Sequence, residues 1–274
     1  MPLLLKSVEA SRGPRWIGDA MRLFARRPLG FTLLFVVFLF VALLAALVPF
    51  LGGVLQLMLL PLLSLGFMVA SQSALLDGPV SPKQFIEPLQ GDPARRRSLL
   101  ILCVVYGLCA AGILLLCDTV SDNALGRLQA LMSKAGGAQA EIDALLSEPG
   151  VSSAALLGVT LGSLLSIPYW HAPALVHWGG QSVGQALFSS ALAVWRSKGA
   201  LTMYMLAWVG LILLFGIGSA LLFGLIGAGQ MAGLVSVPAG LLFSTVFYIS
   251  LLFTFNDSFG GAGGPAVEAP TPPG

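Results

Sequence analysis

The chain has 274 residues, of which 57% are hydrophobic and only 9% charged, against roughly 25% charged in soluble domains. That balance excludes a water-soluble fold, and a formal net charge of +2 is too small to point to nucleic acid. Residues 29–76, 98–117, 149–195 and 199–256 contain no Asp, Glu, Lys or Arg, so the expected fold class is all-α: a polytopic membrane bundle of six transmembrane helices with interfacial amphipathic helices.

Residues 1–28 should form a cytoplasmic N-terminal segment. Three leucines at 3–5 precede Lys6, Glu9 and Arg12, too short a run for the apolar core of a secretory signal. Arg15, Asp19, Arg22 and Arg26 then share one helical face while Trp16, Ala20, Leu23 and Phe24 share the other, which predicts a helix lying flat on the inner leaflet. The membrane domain follows over residues 29–256. A crossing of about 30 Å takes about 20 residues, and six runs qualify: about 29–48, 51–76, 99–117, 151–176, 201–225 and 231–255. Pro49 and the Gly52-Gly53 pair turn span one into span two. Pro61, near the middle of span two, admits either a full crossing or a re-entrant hairpin. Before span three, Asp92 is placed to cap, Pro93 suits a first helical turn, and Arg95, Arg96 and Arg97 can reach phosphates.

The connection 118–150 carries Asp118, Asp122, Glu141, Asp143 and Glu148 against Arg127 and Lys134. It predicts two short helices broken at Gly136-Gly137, with Leu125, Leu128, Leu131 and Met132 on one side, lying over the bundle as an extracytoplasmic lid. Residues 181–197 predict another interfacial helix, with Val183, Leu187, Ala191, Val194 and Trp195 apolar and Gln185, Ser189 and Arg196 towards headgroups. Residues 257–274 form a Gly- and Pro-rich cytoplasmic tail that cannot bury a core and should stay disordered.

Orientation follows from the bases. Of the fourteen Lys and Arg residues, all but Arg127 and Lys134 precede span one, three or five, the same side of a six-span chain. The positive-inside bias places that side and both termini in the cytoplasm of a bacterial inner membrane. Arg15, Arg22, Arg26, Arg27, Arg95, Arg96, Arg97, Arg196 and Lys198 are candidate contacts for anionic headgroups, or they only set topology. A unit of interfacial segment and two spans recurs three times, and the second span of each carries proline: Pro61, then Pro168 and Pro173, then Pro238. Shared kinks by duplication and the general frequency of proline in membrane helices both account for this.

Cys103, Cys109 and Cys117 fall in one apolar run and read as small hydrophobes, neither a disulfide framework nor a metal site. The two histidines, His171 and His177, sit in the unusual stretch from Pro168 to Trp178. Imidazoles in a membrane suggest metal ligands or proton carriers. However, six residues turn a helix by about 240°, and no carboxylate or cysteine nearby completes a ligand set. The favoured reading is an interfacial belt of Tyr169, Trp170 and Trp178, with the histidines reaching water or headgroups. Small residues at helix-packing spacing, Gly158 and Gly162, Gly216, Ala220 and Gly224, Gly229 and Gly233, suggest close contact within the bundle. No nucleophile-base ordering, zinc motif, P-loop or intramembrane carboxylate appears, so no enzyme and no cofactor are expected. The favoured function is a non-enzymatic envelope component or scaffold; the alternative is a passive carrier or transporter subunit for a lipid or small apolar molecule. A membrane-protein partner or a second copy stays open, and a cavity between the spans would favour the carrier.

The stretch from Trp16 to Phe24 with Arg26-Arg27-Pro28-Leu29 resembles the opening of uncharacterised multi-span inner-membrane proteins of proteobacteria, Burkholderia-like bacteria above all. The resemblance continues at Leu60-Pro61-Leu62, Gly66-Phe67-Met68, residues 172–176 and residues 254–260, and covers most of the chain apart from the outer loop and tail. It implies an inner-membrane protein and supplies no catalytic residues. Where those proteins carry an Arg-Asp pair, this chain has Asn256-Asp257, so nothing that arginine does transfers here.

Overall fold

A computed structural model describes residues 5–133, 139–227 and 229–260. The Gly136-Gly137 break, residues 261–274 of the tail, and the side chains of Leu125 and Met132 lie outside the described residues; the first residues of the tail expected to be disordered over 257–274 are instead helical, Asp257, Ser258 and Phe259 ending the last helix with Ser258 and Phe259 buried. Among those described there is no strand.

A 3-10 turn at Ala10–Arg12 leads into α1, Gly13–Arg26. The residue before a proline is pushed out of the helical region, and Arg27 accordingly takes φ −140° and ψ 53°. That breaks the chain before α2, Pro28–Ala46. Span two is two segments, α3 (Gly52–Met58) and α4 (Leu60–Leu75), joined through Leu59. After a 3-10 turn at Pro82–Phe85 and the short α5, Glu87–Gln90, comes α6, Pro93–Val120. It starts ahead of the apolar run because Asp92 caps it, its carboxylate accepting from the Ala94 N–H at 3.2 Å. The acidic connection holds α7 (Ala124–Ser133) and α8 (Gln139–Leu146), which pack on each other and on the flanking helices. Next are α9 (Pro149–Tyr169), α10 (Ala172–His177), α11 (Val183–Arg196), α12 (Lys198–Leu225) and α13 (Gly229–Phe259). Among the described residues six runs are long and apolar enough to cross a bilayer: Pro28–Ala46, Gly52–Leu75, Pro93–Val120, Pro149–His177, Lys198–Leu225 and Gly233–Phe259. The fold is a polytopic bundle of six membrane helices.

Spans two and six are the most enclosed. Leu65 and Met68 of α4 meet Leu252 and Phe255 of α13 in one core, while Leu63 and Phe67 meet Val246 and Ile249 in a second that also takes Trp16, Phe31 and Tyr204. Buried positions on α2 and α12 are confined to their first halves: Phe31, Leu34 and Phe35, then Ala200, Tyr204 and Trp208. The core therefore sits at the end of the bundle where the basic segments lie, and the far halves of these helices present leucine and isoleucine outward, as lipid contact allows. That same end gathers both described ends of the chain: the Lys6 N–H donates to the Ser258 carbonyl at 2.8 Å, and the Ser7 hydroxyl to the Arg196 carbonyl at 3.2 Å.

Four expectations are corrected. The apolar face of α1 is not given to the leaflet: Trp16, Ile17, Ala20 and Leu23 are buried against α12 and α13. Gly13 permits this, because a Cβ there would run into the Ala200 carbonyl. On α11 the buried face is Ala186, Ser190, Ala193 and Ser197, small residues that let the helix sit close. Trp195 and Phe188 point outward, and Val183 and Leu187 only border the core. Among the described glycines at that spacing, Gly162, Gly216, Gly224 and Gly233 bring no helix close, with nothing within 4 Å of an added Cβ, and Gly158 alone has a neighbour, Cys117 Sγ at 3.2 Å. Finally, Pro61 and Pro173 lie in the opening turns of new segments, where a missing N–H costs nothing, whereas Pro168 and Pro238 lie inside α9 and α13.

Candidate functional site

Where Pro61 breaks span two and the end of α9 turns into α10, the helices leave a cavity of about 160 Å³, open on one side. Its walls come from four spans: Leu60, Pro61 and Ser64 of α4, Tyr106 of α6, Ser166, Tyr169 and Trp170 at the end of α9, and Phe247, Tyr248 and Leu251 of α13. None of these residues is charged. Tyr106 lies at the midpoint of its helix, so the cavity sits part-way along the spans. The rings brace one another: Tyr106 and Tyr169 meet edge-to-face with centroids 4.9 Å apart, as do Trp170 and Phe247 at 6.0 Å, a geometry worth about 0.5–1.5 kcal/mol per pair beyond area burial. The serine hydroxyls are spent on their own helices, Ser64 on the Pro61 carbonyl at 2.8 Å and Ser166 on that of Gly162 at 2.8 Å. The Tyr169 hydroxyl is buried with no protein partner, a state that costs about 1–3 kcal/mol.

Trp170 is held in the wall from behind. The Thr254 hydroxyl donates its one proton to the Leu251 carbonyl at 2.8 Å. It therefore accepts from Trp170 Nε1 at 3.3 Å and from His171 Nε2 at 3.2 Å. This assigns His171 the Nε2–H tautomer. Its backbone N–H donates to Ser190 Oγ at 2.9 Å, and its ring packs against Phe255 and Phe259. The belt expectation is corrected here: His171 is 1% exposed and reaches neither water nor headgroups, because the break between α9 and α10 turns it into the core. Tyr169 and Trp170 face the interior cavity, and Trp178 packs on Phe255 at 5.4 Å. His177 is half-buried, its ring against Trp178. Its carbonyl accepts from Arg95 Nη1 at 3.1 Å.

The basic candidates divide by what they touch. Arg22 pairs with Asp19 at 2.8 Å, Arg27 donates to the Asp77 carbonyl at 3.2 Å, and Lys198 stands 4.9 Å over the Trp195 ring, a cation–π contact. Arg96 and Arg97 head a shallow apolar groove along one face of α6, over Leu100, Ile101, Val104 and Val105. Arg15 lines a polar cleft with Lys6, Arg12 and Asp257. Arg26 and Arg196 are exposed.

Sequence reasoning missed Asp257. Its carboxylate accepts from Arg12 Nε at 2.6 Å and Trp16 Nε1 at 2.7 Å, and Arg12 also pairs with Asp19 at 3.0 Å. Burial works against the Arg12 charge, but Asp257 and Asp19 hold the guanidinium above its ordinary pKa. At the opposite end, Arg127 clasps Glu148 through two bonds of 2.9 and 2.7 Å, and that hydrogen bonding lowers the Glu148 carboxyl below its usual value. The cavity was missed too, although the chain has only 4 tyrosines and three of them, Tyr106, Tyr169 and Tyr248, line it. Tyrosines within the spans were the signal.

Over 257 residues the chain is 34% identical to a probable inner membrane protein of Burkholderia thailandensis, covering 93% of this chain and 94% of that protein. No family model and no solved structure matches it. Six apolar helices and a relationship that runs nearly end to end identify a multi-pass protein of the bacterial inner membrane, and the chain belongs to the family of that Burkholderia protein.

Proposed function

We propose that the protein is a non-enzymatic membrane component that holds a small apolar molecule among spans two, three, four and six, as a carrier or receptor. The cavity carries this reading. Its lining is apolar and aromatic and bears no carboxylate, base or thiol to run a reaction, and lipophilic cargo needs no buried charge. Size fits as well: apolar cavities of roughly 150 Å³ take up benzene. The basic end and both described ends of the chain face the cytoplasm in this reading, supported by the Lys6–Ser258 hydrogen bond, which gathers them on one side, and by the positive-inside bias. Exposed arginines such as Arg96 and Arg97 would meet anionic headgroups there.

The test is native mass spectrometry of the full chain released from lipid nanodiscs. One small molecule per chain, retained by the wild type and lost when Leu251→Trp fills the cavity, supports the reading; no retention, or retention untouched by Leu251→Trp, overturns it. A second reading, a scaffold or accessory subunit, is favoured by the outer half of span five, whose Gly216 and Gly224 meet nothing of this chain. In the same spectrum it predicts a second protein chain instead.

A further inference from the structure

We propose that α6 carries a discrete site for one anionic phospholipid, separate from the cavity and independent of its reading: a phosphodiester held between Arg96 and Arg97, with an acyl chain along the helix below them. The outward face of α6 holds two adjacent rows at i, i+4 spacing, Arg96-Leu100-Val104 and Arg97-Ile101-Val105, which wall a groove of about 500 Å³. Each row has a cation at its head and two aliphatic side chains beneath. Leu99, Leu102 and Cys103 are buried on the bundle side of the same helix, so the rows face the surroundings, and all four of their aliphatic side chains are exposed.

The two charges are available to a ligand. Arg95, next in sequence, is turned to the His177 carbonyl at 3.1 Å, and Arg12, Arg22 and Arg127 are paired with carboxylates. The side chains of Arg96 and Arg97 make no hydrogen bond or ion pair among the described residues, and no acid lines their groove. Guanidinium groups bind phosphate oxygens through paired N–H donors, and two of them without a counter-charge favour a headgroup of net negative charge over a zwitterionic one. Length decides what lies below. Nine helical rises from Arg96 to Val105 make about 13–14 Å, close to half of the roughly 30 Å of hydrocarbon, the depth that one leaflet's acyl chain fills. A second copy of the chain suits this face less well: a two-fold contact is self-complementary, and it would set Arg96 and Arg97 against their own counterparts.

The experiment uses the full chain in a neutral detergent, titrated with phosphatidylglycerol or with phosphatidylcholine of the same acyl chains, and native mass spectrometry counts lipids per chain. The first phosphatidylglycerol is expected to bind about 10- to 30-fold more tightly than phosphatidylcholine, the worth of two basic residues at a membrane surface. Arg96→Gln with Arg97→Gln should abolish that preference. Arg15→Gln with Arg26→Gln, which removes as much charge from the same end of the bundle, should leave it within about twofold. Ile101→Asn keeps both arginines and places an amide under the acyl chain; it should weaken the first phosphatidylglycerol by about 5-fold, and it tests the site should the double arginine variant fail to insert. Glycerophosphoglycerol, the same headgroup without chains, should not displace the lipid at millimolar concentration. Equal affinity for the two lipids in the wild type, equal losses in the two arginine-pair variants, or an unchanged Ile101→Asn would overturn the site. Displacement by the bare headgroup would overturn the lipid in favour of a soluble phosphate ester, and a dimer in the same spectrum that Arg96→Gln with Arg97→Gln alters would overturn it in favour of a second copy.

Discussion

Arg12 Nε meets Asp257 Oδ2 at 2.6 Å across 245 residues of sequence, and the same oxygen takes the Trp16 indole N–H. The end of span six is thereby fastened to the helix that precedes span one. Hydrogen bonds to a charged group contribute about 1.5–3 kcal/mol. With both side chains about a third exposed, solvent screening reduces this to about 1–2 kcal/mol. Asp257→Asn should therefore lower the melting temperature of the protein in detergent by several degrees, and a double-mutant cycle with Arg12→Ala should recover most of that as coupling. Additive losses from the two substitutions would refute the link.

The two histidines should differ. His171 is enclosed and anchors Thr254 beside Trp170, so His171→Ala leaves a hole and a broken hydrogen bond, costing roughly 2–4 kcal/mol. His177 is half-exposed and contributes its ring to Trp178 alone among recorded contacts, so His177→Ala should cost under about 1 kcal/mol. Thermal melts of the two variants decide it. Equal losses would point back to a joint role.

The connection between α6 and α9 should respond to acid. Glu148 has its carboxyl pKa lowered in the folded protein by Arg127. The contribution is thus fully present above the ordinary glutamate value of about 4.3 and is lost as pH falls through the lowered folded value. Hydrogen exchange of residues 121–148 should be flat from neutral pH down to about 5, after correction for the intrinsic rate, and rise below about 4. Glu148→Gln should be loosened at every pH, without that step. A step that persists in Glu148→Gln would assign it to another group.

The positive-inside bias predicts that Arg95, Arg96 and Arg97 carry the orientation of span three. Their joint replacement by Glu should expose a cysteine placed at Ser147 to the opposite face from the wild-type one, or stop insertion, when labelled with an impermeant thiol reagent in a background without Cys103, Cys109 and Cys117. Unchanged labelling would remove the arginines from topology. Ser7 is the matching position for the other face.

Legibility in the sequence tracked the strength of the physical constraint. Six spans could be read because a bilayer forbids charge over some twenty residues at a time, and the Asp92 cap because a cap is local. The docking of α1 could not be read: an amphipathic face is equally satisfied by lipid and by protein, and what decides is the close approach of Gly13 to Ala200, two helices far apart in sequence. His171 was misread for the same reason, since its burial depends on a helix break one residue before it and on Ser190 and Thr254, 19 and 83 residues away. The cavity is a negative feature, set by helices that fail to touch, and sequence patterns record only what is present.

The strap that joins Lys6, Ser7 and Val8 to Ser258, Arg196 and Ser197 has a consequence in time. Its partners are synthesised some 189 residues or more after it, a delay on the order of 10–50 s at ordinary translation rates. Through that interval α1 lacks the α12 and α13 surfaces that take most of its apolar face, and the bilayer surface is there to cover Trp16. Ribosome-stalled chains that end before span five should show Trp16 fluorescence quenched by brominated lipid, and finished chains should not. The flat-lying helix expected from the sequence then belongs to the nascent chain, and the docked helix to the completed one.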